Sequence, residues 1–289
     1  MTDYALTLSD VAGHGIGGIS LALLPGEIAG LVGPAGAGKT SLLQLAAGCL
    51  RPMSGDIRVW GTSVRAPGAR ELIGYAPDNA AFPRAVTVKE VLTYYARLHC
   101  ANGDRTAYTL AREALELSGL THEVDARIED LPRADLHRLA LAQAAVGGRR
   151  VLLLDETLSG LDAFARRDLS GRIAMLAAGG VAVLITARDP AVLERLAARV
   201  LVLRQGKIVR AGPLATLLGE RVLEVILDSP PAEAPPGFRI TAAGVEAPLS
   251  GRTVEAALAL CRAHRLPVRA SRVRVKSLEE LVLETQERH

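Results

Sequence analysis

The run EIAGLVGPAGAGKTSLLQLAAG, Glu27 to Gly48, constrains this chain more than any other stretch. An apolar segment of strand length stops at Gly33-Pro34-Ala35-Gly36-Ala37-Gly38-Lys39-Thr40-Ser41, and a helical pattern begins at once. The order is G-x-x-x-x-G-K-[ST] in its required strand-to-helix setting, and a sheet with crossover helices is the architecture that supplies such a junction. Glycines at these positions let successive N–H groups converge on an anion, and the helix N-terminus adds partial positive charge. Lys39 is therefore expected to reach the β- and γ-phosphates of a nucleotide, and the Thr40 hydroxyl to ligate Mg²⁺. The expected phosphate-binding set is Gly33, Pro34, Ala35, Gly36, Ala37, Gly38, Lys39, Thr40 and Ser41.

Further strands of the same kind are readable downstream. VLLLD (Val151–Asp155), VAVLITA (Val181–Ala187) and RVLVL (Arg199–Leu203) are short Val/Leu/Ile runs suited to burial on both faces. The run Ile173 to Ala187 falls short of the roughly 20 residues of a membrane helix and is broken by Gly179-Gly180, so it reads as helix end, turn and buried strand. VLLLDE ends in two carboxylates: Asp155 is expected to hold Mg²⁺ and Glu156 to polarise an attacking water.

Between the phosphate loop and this strand, Val88, Val91, Leu92, Tyr95 and Leu98 recur at helical spacing, and AREALELSGL adds an amphipathic helix that Gly119 stops. A helical subdomain over about residues 80–145 follows. Four prolines in LDSPPAEAPPGF mark a loop near a change of composition. Beyond it, RTVEAALALCRAHR and SLEELVLETQER read as helices and PVRASRVRV as a strand. The expected division is residues 1–221 for the nucleotide domain and 222–289 for a small α+β accessory domain.

Composition excludes several classes. With a net charge of +3 and 3% aromatic residues, the chain offers few platforms for stacking bases, so no nucleic-acid partner is expected. Cys49, Cys100 and Cys261 are far apart and form neither a disulfide framework nor a zinc motif. The start MTDYALTLSD has no basic stretch followed by an apolar core, so no secretory signal is expected.

Five motifs in order, GPAGAGKTS, LIGYAPDNAAFPRAVTVKEVL, LPRADLHRLALAQA, LLLDETLSGLD and VLITARDPAVLERLAARVLVLRQGKIV, make residues 4 to 215 resemble the ATP-binding-cassette (ABC) ATPases, subunits of membrane transporters. The resemblance implies an α/β P-loop NTPase core with a helical subdomain. Its ligands are ATP and Mg²⁺, and its partners are an integral-membrane permease subunit and a second cassette, identical or different. It also implies a place on the cytoplasmic face of the membrane. Two cassettes sandwich ATP between the phosphate loop of one and the L-S-G-G-Q signature of the other, while SGLD (Ser159–Asp162) matches the loop that communicates between them. The tail SLEELVLE is similar to the end of exporter-type cassettes, which implies export.

Three of the family's functional positions depart from its pattern. Leu131-Pro132-Arg133-Ala134-Asp135 stands where the signature belongs. Pro132 lacks both N–H and hydroxyl, and Asp135 is expected to bring a like charge towards a phosphate. Asp78 replaces the glutamine that senses metal and water. Ala187 replaces the switch histidine, with Arg188 beside it but differently aimed. The aromatic residue on which adenine stacks in the family is missing from LSDVAGHGIGGIS, where His14 is the flat ring available. Phe82 and Pro83 are expected to be exposed where the family docks its permease. The chain thus reads as an ATPase subunit driving export, with hydrolysis weakened by these changes; the alternative is an ATP-gated regulatory module with little turnover.

Overall fold

Wholly apolar segments lie side by side in one sheet of the computed structural model, which describes residues 3–99, 104–219, 221–249 and 251–287. Cys100 lies outside these. The chain divides into two units, Met1–Ala211 and Gly212–His289. In chain order the first contains β1 (Leu6–Gly13), β2 (Ile16–Leu23), β3 (Ile28–Val32), α1 (Lys39–Ala46), β4 (Ser54–Val59), β5 (Thr62–Ser63) and β6 (Ile73–Ala76). There follow α2 (Val88–Arg97), α3 (Asp104–Ser118), α4 (Arg133–Ala145), β7 (Val151–Leu154), α5 (Ala163–Ala178), β8 (Ala182–Thr186), α6 (Ala191–Glu194) and β9 (Arg199–Arg204); β10 (Lys207–Pro213) leads into the second unit.

The central sheet has the order β10-β9-β3-β8-β7-β6, and β3, β6, β7, β8 and β9 pair in parallel. Every residue of β3, β7 and β8 is buried, the burial expected of parallel strands covered on both faces. The 173–187 run is the end of α5, the Gly179-Gly180 turn and β8, as its sequence suggested. A second sheet, β2-β1-β4-β5, is antiparallel. It places Leu6, Leu8, Val11, Ile19 and Ile57 in one core with Leu31, Leu42, Leu43 and Leu184.

The insertion between β6 and β7 has its own core. Val88, Val91, Leu92, Ala107, Ala111, Leu115, Leu139 and Ala142 pack together there. Thr87 and Glu90 form a reciprocal cap at the start of α2, Glu90 N donating to Thr87 Oγ1 (3.2 Å) and Thr87 N to Glu90 Oε2 (2.8 Å). Gly119, at φ 72°, follows the last residue of α3 in the left-handed conformation typical of helix stops. Leu98 departs from the expected apolar face: it follows the last residue of α2 and is exposed. Phe82 is half-buried against the helical core rather than exposed, while Pro83 is exposed.

The second unit holds α7 (Leu214–Leu218), β11 (Arg221–Leu227), β12 (Arg239–Thr241), β13 (Gly244–Pro248), α8 (Val254–Ala263), β14 (Val268–Val275) and α9 (Leu278–Glu287). Its antiparallel sheet runs β12-β13-β11-β14 over a core of Leu223, Val225, Val245, Ala257 and Cys261. The division after Ala211 falls before the expected 221/222 boundary because α7 packs against α9. Ser277 and Glu280 cap α9 reciprocally. Two of the three arginines of β14 are paired within this unit: Arg274 with Glu246 (2.6 Å) and Glu280 (2.7 Å), and Arg272 with Glu224 (2.6 Å).

Candidate nucleotide-binding site

The carboxyl ends of parallel strands are where α/β sheets bind ligands, and here four neighbouring ends deliver the candidate residues. Gly33–Ser41 follows β3, Asp78 follows β6, Asp155 and Glu156 follow β7, and Ala187 and Arg188 follow β8. The phosphate loop is shaped from behind. A side chain at Gly33 would drive its Cβ into the Leu203 carbonyl oxygen, and one at Gly38 (φ 102°) would lie 2.8 Å from Ile16 Cδ1. Gly36 (φ 76°) has open space instead, so its glycine serves backbone conformation alone.

Gly206 N donates to Ala37 O (3.0 Å), tying the loop to the turn after β9. Lys39 Nζ donates to Gly33 O (2.8 Å) and Pro34 O (3.2 Å), so its charge is held inside the loop's own curve. Helix α1 has neither a side-chain cap nor an acidic residue in its first turn, which leaves its N-terminal positive end uncompensated. Thr40 is exposed and Ser41 half-buried on that first turn.

Asp155 is 1% exposed. Its Oδ1 accepts from Thr186 Oγ1 (2.7 Å), and its Oδ2 has no hydrogen-bond partner among the described residues. A buried carboxylate oxygen without a donor is costly unless a cation fills the gap, so the donor set suits a hard divalent ion such as Mg²⁺. Glu156, 6% exposed, has φ 54°, an uncommon backbone state for a residue with a Cβ. Its N–H donates to the same Thr186 hydroxyl (2.8 Å), and its Oε2 accepts from Ser159 Oγ (2.5 Å). Thr186 therefore orients both acids. Sequence reasoning missed it, although a single hydroxyl at the end of an otherwise apolar strand was the available signal.

Sequence reasoning named Arg188 but not its partners. Its Nη2 donates to Asp78 Oδ2 (2.7 Å), and its Nε lies 3.8 Å from Glu156 Oε2. Arg188, the neighbour of the altered position Ala187, thus pairs with the other altered position, Asp78, and lies beside Glu156. The expectation for Asp135 is corrected. It is buried and paired with Arg138 (2.6 Å), which also binds Asp168 (2.9 Å), so its charge is consumed inside the fold. Pro132 stands as the N-cap of α4 with no side-chain cap, and Arg133 lies over Gly160, where an added Cβ would meet Nη2 at 2.7 Å. The exposed His14 bonds the Arg51 carbonyl through Nε2 (3.1 Å).

Of the adjacent Arg149 and Arg150, Arg150 stacks 3.4 Å over the Trp60 ring and Arg149 bonds the Glu71 carbonyl and His99. Among the described residues, no helix is long and apolar enough to cross a membrane. None of those residues forms a group of three or more His, Cys, Asp and Glu side chains able to hold a metal. A magnesium site shared between one aspartate, one threonine and nucleotide phosphates needs no such group.

Comparison with known proteins agrees with this geometry. The family model for ABC transporters matches residues 16–159. The computed fold is similar to cbiO1 from Clostridium perfringens, part of the ABC transporter complex cbiONQ, with TM-score 0.67 and 24% identity over 75% of this chain and 92% of that one. It is also similar to the ATP-binding cassette MJ0796, solved as a dimer bound to ADP and Pi, with TM-score 0.65 and 19% identity over 72% and 98% of the two chains. In sequence, the chain is 34% identical over 242 residues to the Nod factor export ATP-binding protein I of Burkholderia lata, covering 83% of this chain and 79% of that protein. Likeness of that extent over most of both lengths shows that the chain belongs to the ABC transporter family, of which it is an ATP-binding protein.

Proposed function

We propose that this ATP-binding subunit holds MgATP on the Gly33–Ser41 loop and hydrolyses it to drive export through a separate membrane permease, acting at the cytoplasmic face of the membrane. The observation that carries the reading is the convergence of the phosphate loop and the Asp155-Glu156 pair at one edge of the parallel sheet. Loop amides and the start of α1 bind the phosphates, and Lys39 leaves its own loop carbonyls for the β- and γ-oxygens. Thr40 and Asp155 are the residues suited to hold Mg²⁺, which when bound offsets phosphate charge. Glu156, kept in place by Thr186 and Ser159, accepts the proton of the attacking water.

Export rests on the relatives' printed role and on the capped α9 helix that begins with the SLEELVLE pattern. The second cassette of the pair is another copy or a different chain. The test is a MgATP titration with phosphate release, on the wild type, Lys39→Ala and Glu156→Gln. Saturable binding lost in the first variant, with turnover lost in the second, supports the reading. Tight binding with no turnover in the wild type supports instead an ATP-gated regulatory module. Failure of a permease to copurify from native membranes counts against the transport role.

A further inference from the structure

Asp78, one of the departures in the sequence, meets in space the arginine next to another, Ala187. Asp78, Glu156 and Arg188 each lie two residues beyond the end of a strand, β6, β7 and β8 respectively, and those strands are adjacent. Equal offsets from neighbouring strand ends bring the three side chains together although Asp78 and Arg188 are 110 residues apart in sequence. The guanidinium sits between the two carboxylates, 2.7 Å from Asp78 and 3.8 Å from Glu156.

The pair with Asp78 is too exposed to serve stability. The Arg188 side chain is 69% exposed, and ion pairs in such settings contribute about 0–1 kcal/mol. Its consequence is local. Glu156 is fixed at its backbone by Thr186 and at Oε2 by Ser159, and Arg188 approaches that same oxygen. The cation thereby restrains the carboxylate and links the loop after β6 to the loop after β8. It also cancels the charge that Asp78 would otherwise present to an incoming polyphosphate. Arg133 and Arg166 line the same small cavity as Arg188 and Ser159, but among the described residues it is Arg188 that pairs with Asp78 and approaches Glu156.

We propose that Arg188 is a positioning residue for hydrolysis, holding Glu156 through an Arg188–Asp78 tether. This rests on the reading of Glu156 as the base, given above. The experiment is single-turnover and steady-state phosphate release, with MgATP affinity measured separately, for Arg188→Ala, Arg188→Lys, Asp78→Asn and the double variant Asp78→Asn/Arg188→Ala. Loss of a positioning contact at a reacting group typically costs on the order of ten-fold or more. The expected result for Arg188→Ala is a kcat roughly ten-fold lower with MgATP affinity within about three-fold of wild type. Arg188→Lys recovers most of the rate because it keeps the charge.

The double variant should lose less than the product of the two single losses, since both break one tether. A merely structural role would move the thermal midpoint and affinity and show no recovery in Arg188→Lys. An Arg188→Ala rate within two-fold of wild type, or single losses that multiply in the double variant, overturns the inference. If the wild type shows no Glu156-dependent turnover, the reading of the base falls and takes the inference with it; an intact Glu156 effect with an indifferent Arg188 overturns the inference alone.

Discussion

Replacing Thr186 by Val removes one oxygen from the point where the two acids are joined. Thr186 is 0% exposed, and its hydroxyl donates to Asp155 Oδ1 while accepting from Glu156 N. Valine keeps the shape and deletes both bonds. The hydrogen bond to a charged carboxylate is worth about 1.5–3 kcal/mol, and a buried amide left without an acceptor costs about 1–3 kcal/mol. Against this, the methyl group that replaces the hydroxyl gains about 0.8 kcal/mol by burial.

The net loss is therefore about 2–5 kcal/mol. For a unit of this size about 2–4 °C of midpoint accompanies each kcal/mol, so thermal unfolding followed by circular dichroism should show a fall of roughly 4–20 °C. Thr186→Ser keeps the hydroxyl and should lose no more than about 1 kcal/mol, the cost of one methyl group. A Thr186→Val protein within about 0.5 kcal/mol of wild type, the scatter of inert surface changes, would refute the assignment. So would a serine variant as unstable as the valine one, because the oxygen would then be irrelevant.

Three further outcomes are expected. Gly33→Ala should abolish MgATP binding in a titration, because its Cβ collides with the backbone at Leu203, whereas Gly36→Ala should cost only about 1–2 kcal/mol of backbone strain and retain binding. Arg138→Met should lose about 2 kcal/mol in urea unfolding by stranding Asp135, and Asp135→Asn added to it should recover part of that loss. Burial, followed by the nearby charge of Arg133, holds His137 below its ordinary value of 6.5. The unfolded chain then binds the proton more readily, so the neutral histidine's contribution is intact above about pH 7 and is lost as pH falls through about 6.5 towards the folded value. His137→Gln should flatten that part of the stability profile between pH 5 and 7, and an unchanged slope would reject the assignment.

The parts legible in the sequence were those fixed by local chemistry. The phosphate loop needs particular glycines at particular spacing, and β3, β7 and β8 need unbroken apolar runs, so both are written in consecutive residues. The antiparallel sheet of β1, β2, β4 and β5 was missed. Its strands alternate rather than run apolar, and β1 is interrupted by a register shift after Leu8, with Asp10 at φ 50°. The Arg188–Asp78 pair and the fate of Asp135 were hidden for another reason. Each depends on a partner brought in by the tertiary fold, or by the next helical turn, and a motif pattern scores one position at a time. Thr186 shows the same limit, since a threonine in a β-branched strand looks like ordinary strand chemistry until its neighbours at the end of β7 are known.

The backing of the phosphate loop also bears on the kinetics of nucleotide exchange. With Gly33 pressed against the Leu203 carbonyl and Ala37 bonded to Gly206, the loop is already set before any phosphate arrives. A cradle formed in advance loses little conformational freedom when it fills, so little of the binding energy is spent on ordering it. Nucleotide can then enter and leave without local refolding. The loop amides that face this cradle should accordingly exchange their hydrogens freely in the empty protein and become protected when phosphate oxygens accept from them, with no slow step of loop refolding before protection appears.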